Sequence, residues 1–315
     1  MTAATIKPGR SAQGVGFLVL ALLTFSLQDV AVKWIGGDYP ILEIVVFRSL
    51  TALPLTLLFF RLEGGWGLPG TTRPGLEAVR GLCYFLSYTT GFMGLAALPL
   101  AEVAAIKFSG PLMITALSVV FLGETVGPRR WLALLVGFAG VLLIVRPGLD
   151  AFNLGSVFIL VSVLFYALAA ILTRRLQTTD SSATMAYYSS LVYLAATLLF
   201  IPVLLLVGEF PDAHPSVAFL FRAWAVPSPL DGAVMAGLGL VWAGGMVFLA
   251  RAYSAAPASV VAPFEYAALP IGVLWGFVLW GELPAATTWA GAFLALASGL
   301  YVLYRERRER PAKAV

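Results

Sequence analysis

Long apolar runs, separated by short polar connections, occupy almost the whole of this 315-residue chain. Each run has roughly 19 to 24 residues, which is enough for an α-helix to cross about 30 Å of hydrocarbon. Several connections are very short, so successive helices are expected to be antiparallel neighbours. The pattern predicts an all-α integral membrane protein with ten transmembrane helices, at approximately 14–35, 40–60, 76–97, 99–122, 128–146, 154–173, 183–207, 231–252, 256–280 and 286–304.

The composition excludes a water-soluble fold. Hydrophobic residues make up 60% of the chain and charged residues only 11%, and the predicted helices leave no room for a soluble domain. The one cysteine, Cys83, lies in an apolar run, so neither a disulfide framework nor a thiolate metal site is expected. The one histidine, His214, lies in a polar connection. No cofactor and no metal are expected.

Two parts of the chain repeat each other. Residues 81–145 align with 239–303 without a gap at an offset of 158, and an offset of 141 holds upstream. The difference of 17 residues places an insertion between about 201 and 238. Chance similarity between apolar helices does not explain the shared polar and turn positions. A duplicated membrane unit is typical of transporters with the substrate path between the repeats. The matched residues include Gly81 with Gly239, Pro99 with Pro257, Gly123-Glu124 with Gly281-Glu282, and Trp131 with Trp289.

The distribution of lysine and arginine predicts the orientation. Fifteen of these residues fall on the connections, helix ends and termini of one side, against two on the other, so both termini are expected in the cytoplasm. Five helices per repeat is an odd number, which makes the repeats inverted. They are predicted at 14–146 and 154–304, followed by a basic cytoplasmic tail at 305–315. The positive net charge therefore indicates topology and contact with membrane lipids, not nucleic acid.

Ionisable residues within the predicted helices are candidates for function, because each costs about 2.5–3.5 kcal/mol or more near the centre of a bilayer. Asp29 and Lys33 are four residues apart and are expected to pair along one helix face. Glu43 and Arg48 have a poorer spacing, so Arg48 is expected to face another partner. The remaining members of this set are Glu102, Lys107 and Glu265.

Lys107 and Glu265 are equivalent positions of the two repeats and carry opposite charges. They are expected either to bracket a ligand or to form an ion pair that holds the halves together. Prolines nearby predict helix breaks, since Pro111 removes the hydrogen bond to the carbonyl of Lys107 and Pro270 removes that to Tyr266. Such freed backbone groups persist in a membrane only where they line a cavity or contact protein, and a simple packing kink is the alternative.

Aromatic residues accompany these charges and are candidates for stacking on a planar ligand. For each of them a lipid-facing or packing role is the alternative. The candidates are Tyr84 with its repeat equivalent Trp242, Tyr266 with its equivalent Phe108, and Tyr88.

The sequence contains no complete enzymatic motif of the kinds that occur in membrane proteins or nucleotide-binding proteins. Phe108-Ser109-Gly110 is part of a motif of intramembrane serine proteases, but the histidine base that this chemistry needs is found only in a connection. The sequence contains neither a Walker loop nor HExxH. A transporter is expected, and a channel or a non-transporting membrane scaffold is the alternative.

Four segments carry a family resemblance, together with the duplication. The segments are Phe47-Arg48-Ser49-Leu50, Leu98-Pro99-Leu100-Ala101, Gly123-Glu124 and the stretch from Trp131 to Pro147. With them, the chain resembles the drug/metabolite transporter superfamily with two EamA domains, over about residues 14–304. The first repeat is more similar to the branch of bacterial S-adenosylmethionine, riboflavin and metallophore carriers than to the aromatic amino acid exporters.

The resemblance implies a central cavity between the repeats, alternating exposure and no catalysis. The second repeat has Ser189 where the first has Arg48, and Glu265 where the first has Lys107, so the site is expected to be asymmetric. Arg48 and Lys107 are expected to attract an anionic group and Glu265 an amine or cation.

We therefore expect a secondary transporter of a small, amphoteric organic metabolite in the inner membrane. Glu265 or Asp29 is expected to carry a coupling proton. An exporter of drug-like or aromatic amino acid compounds is the alternative, and a homodimer is compatible with the sequence.

Overall fold

The computed structural model describes residues 8–123, 127–147, 152–176, 179–255 and 262–309. Within these ranges every regular element is helical and no strand occurs. The described part of each predicted transmembrane segment is largely helical, and the fourth segment, 99–122, is divided into two helices. The elements are α1 (Pro8–Ile35), α2 (Ile41–Leu62), α3 (Pro74–Leu95), α4 (Leu100–Lys107), α5 (Ser109–Leu122), α6 (Pro128–Val145), α7 (Leu154–Leu176), α8 (Ser182–Val207), α9 (Pro215–Phe221), α10 (Pro229–Ala255), a 3-10 helix (Ala262–Ala267), α11 (Ala268–Trp280) and α12 (Ala286–Glu309).

Part of the sequence predictions falls outside the described ranges. These parts are Glu124 of the Gly123-Glu124 motif, Pro257 of the repeat, residues 256–261 of the ninth predicted helix, and residues 310–315 of the basic tail. In the described ranges, six helical segments are long and apolar enough to cross a membrane, and two shorter apolar helices accompany them. The chain is therefore a multi-pass membrane protein.

Helix boundaries follow from proline and glycine. Pro74 and Pro128 begin α3 and α6, where the missing N–H of proline has no helical partner to lose. Gly123 and Gly281 end α5 and α11 in the left-handed region, both at φ 66°. Only glycine adopts that conformation without steric cost, and the two residues are equivalent positions of the repeats.

Contacts between connecting segments define two ends of the helix bundle. At one end, which we name the α9 end, Lys33 Nζ donates to Leu98 O (3.1 Å) and Asn153 Nδ2 donates to Ala97 O (3.0 Å). At the opposite end, Thr71 Oγ1 donates to Asp180 Oδ2 (2.7 Å) and Tyr188 Oη donates to Pro69 O (3.0 Å). Connections at each end are thus held to one another by side-chain hydrogen bonds.

Helix packing crosses between the two halves of the sequence. The main neighbours are α3 with α7, α1 with α10, α6 with α12, and α2 with α8, while α4 packs on α11. Small residues permit close approach. Gly81 lies against Val192, and the equivalent Gly239 lies against Thr51, which is itself the equivalent of Val192.

The contact between α6 and α12 has the same two-fold character. Gly140 lies against the carbonyl of Gly291. At the positions equivalent to these residues, Ser298 Oγ donates to Ala133 O. Gly272 and Gly276 of α11 both lie against Leu100 of α4, so these two helices also approach closely at small residues.

The insertion contains a helix that the sequence analysis did not predict. Pro215 begins α9, and His214 Nδ1 accepts a hydrogen bond from Ser216 N (3.3 Å). Phe219 is fully buried in the main apolar core, and Arg222 donates to the carbonyl of Gly36. The insertion therefore covers the α9 end of the bundle.

Candidate binding site

A cavity of about 370 Å³ lies in the middle of the bundle, and we name it the central cavity. Its walls come from both halves of the chain: α1, α3, α4 and α5 from the first, and α7, α10, the 3-10 helix and α11 from the second. The lining is mainly apolar and aromatic, with a few polar side chains. This size and composition are typical of a site for a small organic molecule.

Two breaks in helices open onto the central cavity. α4 ends at Lys107 and α5 begins at Ser109, and the 3-10 helix gives way to α11 at Ala268. These are the breaks predicted from Pro111 and Pro270, and Lys107 and Glu265 beside them both line the cavity. Backbone groups freed by the prolines thus lie at the cavity wall, as expected for irregular backbone in a membrane protein.

Aromatic rings close the space between the two breaks. The rings of Phe108 and Tyr266, which are repeat equivalents, meet edge to face with centroids 4.8 Å apart. Trp275 Nε1 donates to Ser26 Oγ (3.1 Å) on the cavity wall. Such rings offer flat apolar surface with fixed orientation to a planar ligand.

The charges at the central cavity are arranged differently from the sequence prediction. Lys107 Nζ lies 3.1 Å from Asp29 Oδ2, and both side chains are partly exposed. Lys33 Nζ instead lies 2.5 Å from Glu282 Oε1 at the α9 end. The predicted pairing of Asp29 with Lys33 is therefore wrong, because packing brings Asp29 to Lys107 at the end of α4 and Lys33 to Glu282 in the connection after α11.

Arg48 does not line the central cavity. Its side chain is 4% exposed and faces a separate small space of about 20 Å³, which we name the Arg48 chamber. As predicted, Arg48 does not pair with Glu43, whose Oε2 accepts from Ala225 N (3.2 Å). The chamber is lined by Arg48, Ser49, Ala52, Arg80, Tyr84, Tyr88, Ala186, Ser189, Ser190, Tyr193, Trp242 and Met246.

Tyr84 and Tyr88 stand between the two spaces and line both. Their ring centroids are 6.3 Å apart, and each ring lies near an arginine: Tyr84 is 5.1 Å from Arg80 and Tyr88 is 5.2 Å from Arg48. Both guanidinium groups are thus stabilised by an aromatic face. The two tyrosines form a wall between the central cavity and the Arg48 chamber.

The structure thus divides the predicted site residues into two groups. Asp29, Lys107, Glu265, Tyr84, Tyr88 and Tyr266 line the central cavity, whereas Arg48 and Trp242 line only the Arg48 chamber.

Three further residues were missed by the sequence analysis. Tyr166 lines the central cavity, Tyr193 lines the chamber, and the buried Gln28 Oε1 at the cavity has no hydrogen-bond partner in the described ranges. The repeat offset of 141, which matches Tyr166 with the cavity residue Phe25, is the signal that would have found the first of them.

In the described ranges, no three histidine, cysteine or acidic side chains lie together as metal ligands. The wall of the central cavity offers charge, hydrogen bonding and stacking to a ligand.

Comparison with known proteins identifies the class. The EamA-like transporter family matches residues 12–146. A riboflavin transporter of Rhizobium johnstonii is 30% identical over 312 residues, which cover 98% of this chain and 97% of the relative. An S-adenosylmethionine uptake transporter of Rickettsia conorii is 27% identical, with 94% of each chain covered. The pseudopaline exporter CntI of Pseudomonas aeruginosa is 30% identical over 90% of this chain and 94% of its own.

The fold also has a solved counterpart. A crystal structure that is 17% identical in sequence superposes with a TM-score of 0.61 and covers 93% of this chain and 97% of its own. At that identity the likeness concerns the fold alone. Family match, full-length relatives and the helical fold agree, and the chain belongs to the EamA-like transporter family of the drug/metabolite transporter superfamily.

Proposed function

We propose that this protein is a secondary active transporter that moves a small amphoteric metabolite across the inner membrane by alternating access. The observation that carries the proposal is the central cavity itself. It lies between the two halves of the chain, at two helix breaks, and its wall includes a base and two acids, Lys107, Asp29 and Glu265. In transporters built from repeats, the substrate site is found at such discontinuous helices near the midplane.

The proposal includes the inverted topology, with ten transmembrane helices and both termini in the cytoplasm. Support comes from the packing, since the neighbours α1 with α10 and α7 with α3 are the same pair of repeat elements exchanged. The equivalent contacts of Gly81 and Gly239 support it as well. In this topology the α9 end faces the periplasm.

The proposed substrate has unlike polar ends and a flat apolar part. Glu265 accepts an amine or cation, Lys107 contributes positive potential, and Tyr84, Tyr88 and Tyr266 provide ring surfaces. The relatives are named for S-adenosylmethionine, riboflavin and pseudopaline, and the first two have planar ring systems. Both uptake and export occur among these names.

We predict that counterflow in proteoliposomes will identify one class of substrate and that Lys107→Ala will reduce its exchange at least about tenfold. Loss of the cation leaves the Asp29 carboxylate unpaired in the cavity, where it repels an anionic group. A tenfold reduction corresponds to a loss of about 1.4 kcal/mol of favourable interaction with the substrate. Vesicles are loaded with a metabolite extract, challenged with labelled S-adenosylmethionine, riboflavin and amino acids, and read by mass spectrometry.

Arg61→Ala is the matched control for this experiment, because Arg61 is exposed in the last turn of α2, away from the cavity. Its exchange is expected to equal that of the unchanged protein. Exchange of the same compound by Lys107→Ala at the unchanged rate would preserve the transporter and remove Lys107 from its site. A folded protein that exchanges no compound in the extract would contradict the proposed function.

We predict that Glu265→Gln abolishes the pH dependence of transport. A carboxylate on the wall of a cavity is able to bind a proton in one facing state and release it in the other, whereas an amide is not. Uptake is measured with and without an imposed pH gradient, and Asp29→Asn is compared directly. A gradient response that is intact in Glu265→Gln and lost in Asp29→Asn assigns the coupling to Asp29 instead.

A further inference from the structure

The Arg48 chamber holds a buried positive charge that the described protein does not neutralise. Arg48 forms no ion pair with a described residue, and its Nη1 atom has no hydrogen-bond partner there. The guanidinium lies 4.7 Å from the Tyr193 ring and 6.0 Å from the Phe92 ring, in addition to Tyr88. Ring faces attract a cation but do not replace an anion, and an unpaired buried charge is costly.

The second arginine at the chamber, Arg80, already has an acidic partner. Arg80 Nη1 lies 2.9 Å from Glu77 Oε2, so that pair is neutral as a unit. No acidic side chain is among the residues that line the chamber. Among the residues that line the chamber, Arg48 is therefore the cation without an acidic partner in the described ranges.

Other donors at the chamber are also unused. Trp242 Nε1 lies near Tyr88, and Tyr193 Oη lies near Arg48 and Thr89, but neither atom has a partner in hydrogen-bond geometry in the described part of the chain. An indole nitrogen and a guanidinium donate only, and they accept nothing. A group that satisfies them together must be an acceptor, and next to Arg48 an anionic acceptor is favoured over a neutral one.

The volume limits the size of that acceptor. A space of about 20 Å³ holds one group of roughly the size of a water molecule. A halide ion or the terminal carboxylate of a longer molecule fits this size, whereas an aromatic ring system does not. The chamber adjoins the central cavity through the wall of Tyr84 and Tyr88, so a carboxylate there can belong to a molecule whose remainder occupies the cavity.

Lys107 is the weaker competitor for such a group. Its ammonium is already 3.1 Å from Asp29, and its side chain is 42% exposed. Arg48 is deeply buried and unpaired, so a monoanion gains more from contact with it in a low-dielectric surrounding.

We propose that the Arg48 chamber is a binding site for a small monovalent anion, of the size of a halide or a carboxylate. Where the anion is a carboxylate of the transported metabolite, the site fixes the anionic end of the substrate class; that part rests on the proposed function. Binding of a free anion does not depend on transport, so the two proposals fail separately.

The full chain, purified in detergent, is unfolded thermally in sodium formate or sodium chloride, with the sodium salt of HEPES making up constant ionic strength. Formate and chloride are expected to raise the midpoint temperature of unfolding in a saturable manner, while the tetrahedral sulfonate of HEPES is too large for a space of about 20 Å³. Arg48→Met retains the length of the side chain without its charge and is expected to lose the saturable shift. Trp242→Phe retains a ring but removes one donor, and is expected to weaken formate binding about tenfold.

Trp224→Phe is the matched control, because Trp224 lies in an exposed connection at the α9 end, and its formate affinity is expected to stay unchanged. If Arg48→Met does not fold, Trp242→Phe alone decides the question. Formate binding of unchanged strength in Trp242→Phe, an equal shift in Arg48→Met, or no saturable shift in the unchanged protein overturns the proposal.

A competition experiment distinguishes the two sources of the anion. A counterflow substrate that raises the concentration of formate needed for half of the shift shares the site, which assigns the chamber to the carboxylate of the substrate. If the shifts in midpoint temperature caused by the substrate and by formate add, the two bind at different places, and the chamber binds a free anion.

Discussion

Glu282→Gln is expected to open the central cavity toward the α9 end. The rate at which a reagent added on that side labels a cysteine on the cavity wall is expected to rise by about 10- to 100-fold. Glu282 Oε1 lies 2.5 Å from Lys33 Nζ, and Glu282 Oε2 accepts from Leu100 N (3.2 Å). Lys33 also donates to Leu98 O and lies 5.0 Å from the Trp280 ring. The carboxylate of Glu282, in the connection that follows α11, thus contacts both α1 and α4 at the α9 end of the bundle.

The size of this effect follows from the hydrogen bonds that the amide weakens. Hydrogen bonds to charged groups contribute about 1.5–3 kcal/mol each, and a difference of about 1.4–2.7 kcal/mol shifts a two-state population by 10- to 100-fold. The partners are 13% and 23% exposed, which reduces the contribution through solvent screening but does not abolish it. In Glu282→Gln we therefore expect a smaller population of the state in which the central cavity is closed at the α9 end.

The measurement uses Ala104→Cys, a position on the cavity wall one turn before Lys107, in a background where the single buried cysteine is replaced by Cys83→Ala. A membrane-impermeant thiol reagent is added to intact spheroplasts, and the rate of labelling is compared with and without Glu282→Gln. The double reversal Lys33→Glu with Glu282→Lys is expected to restore slow labelling.

Glu63→Gln serves as the control, because Glu63 is exposed just after α2. Equal labelling rates with and without the Glu282→Gln substitution would mean that the pair does not close the cavity. Fast labelling in the double reversal would assign the effect to another property of Glu282, such as its bond to Leu100.

Some of these features were predictable because they depend on local chemistry. Pro111 and Pro270 each remove one helical hydrogen bond, and the helix breaks lie where those bonds are lost, whereas Pro54 and Pro202 lie inside α2 and α8 without ending them. The apolar runs likewise place the helices within a few residues, since a segment of that length and composition has few alternatives in a membrane.

The pairing of charges was not predictable, because it depends on distances between helices. Their spacing in the sequence indicates only that Asp29 and Lys33 share a face of α1. Packing of the helices then places Lys107 beside Asp29 and Glu282 beside Lys33. The burial of Arg80 was not predictable for the same reason. Its position near a helix end predicts an exposed arginine on the cytoplasmic side, but contacts with α7 and α8 bury it.

The insertion was read as a connection for a similar reason. Its prolines indicate breaks, and the same Pro215 that interrupts the chain also begins α9. A helix of seven residues has too little periodicity to be recognised. It forms here because Phe219 is buried in the core of the bundle.

Arg80→Met is expected to destabilise the protein by about 3–5 kcal/mol, the cost of leaving the buried Glu77 without its partner. Arg80 is 3% and Glu77 0% exposed. The guanidinium also donates to Thr173 Oγ1 (2.8 Å), to Met185 O (3.0 Å) and to Ser189 Oγ (3.1 Å), so it joins α3 to α7 and α8. Unfolding in mixed detergent micelles measures the loss.

A double-mutant cycle separates the ion pair from the shape of the site. Glu77→Met with Arg80→Met is expected to cost less than Arg80→Met alone, because the double change leaves no unpaired buried charge. Arg73→Met, at the exposed start of α3, is the matched control and is expected to cost less than about 1 kcal/mol. If the two single changes cost little and add in the double variant, the pair is not a unit. The hydrogen bonds of Arg80 to α7 and α8 would then hold this end of the bundle without help from Glu77.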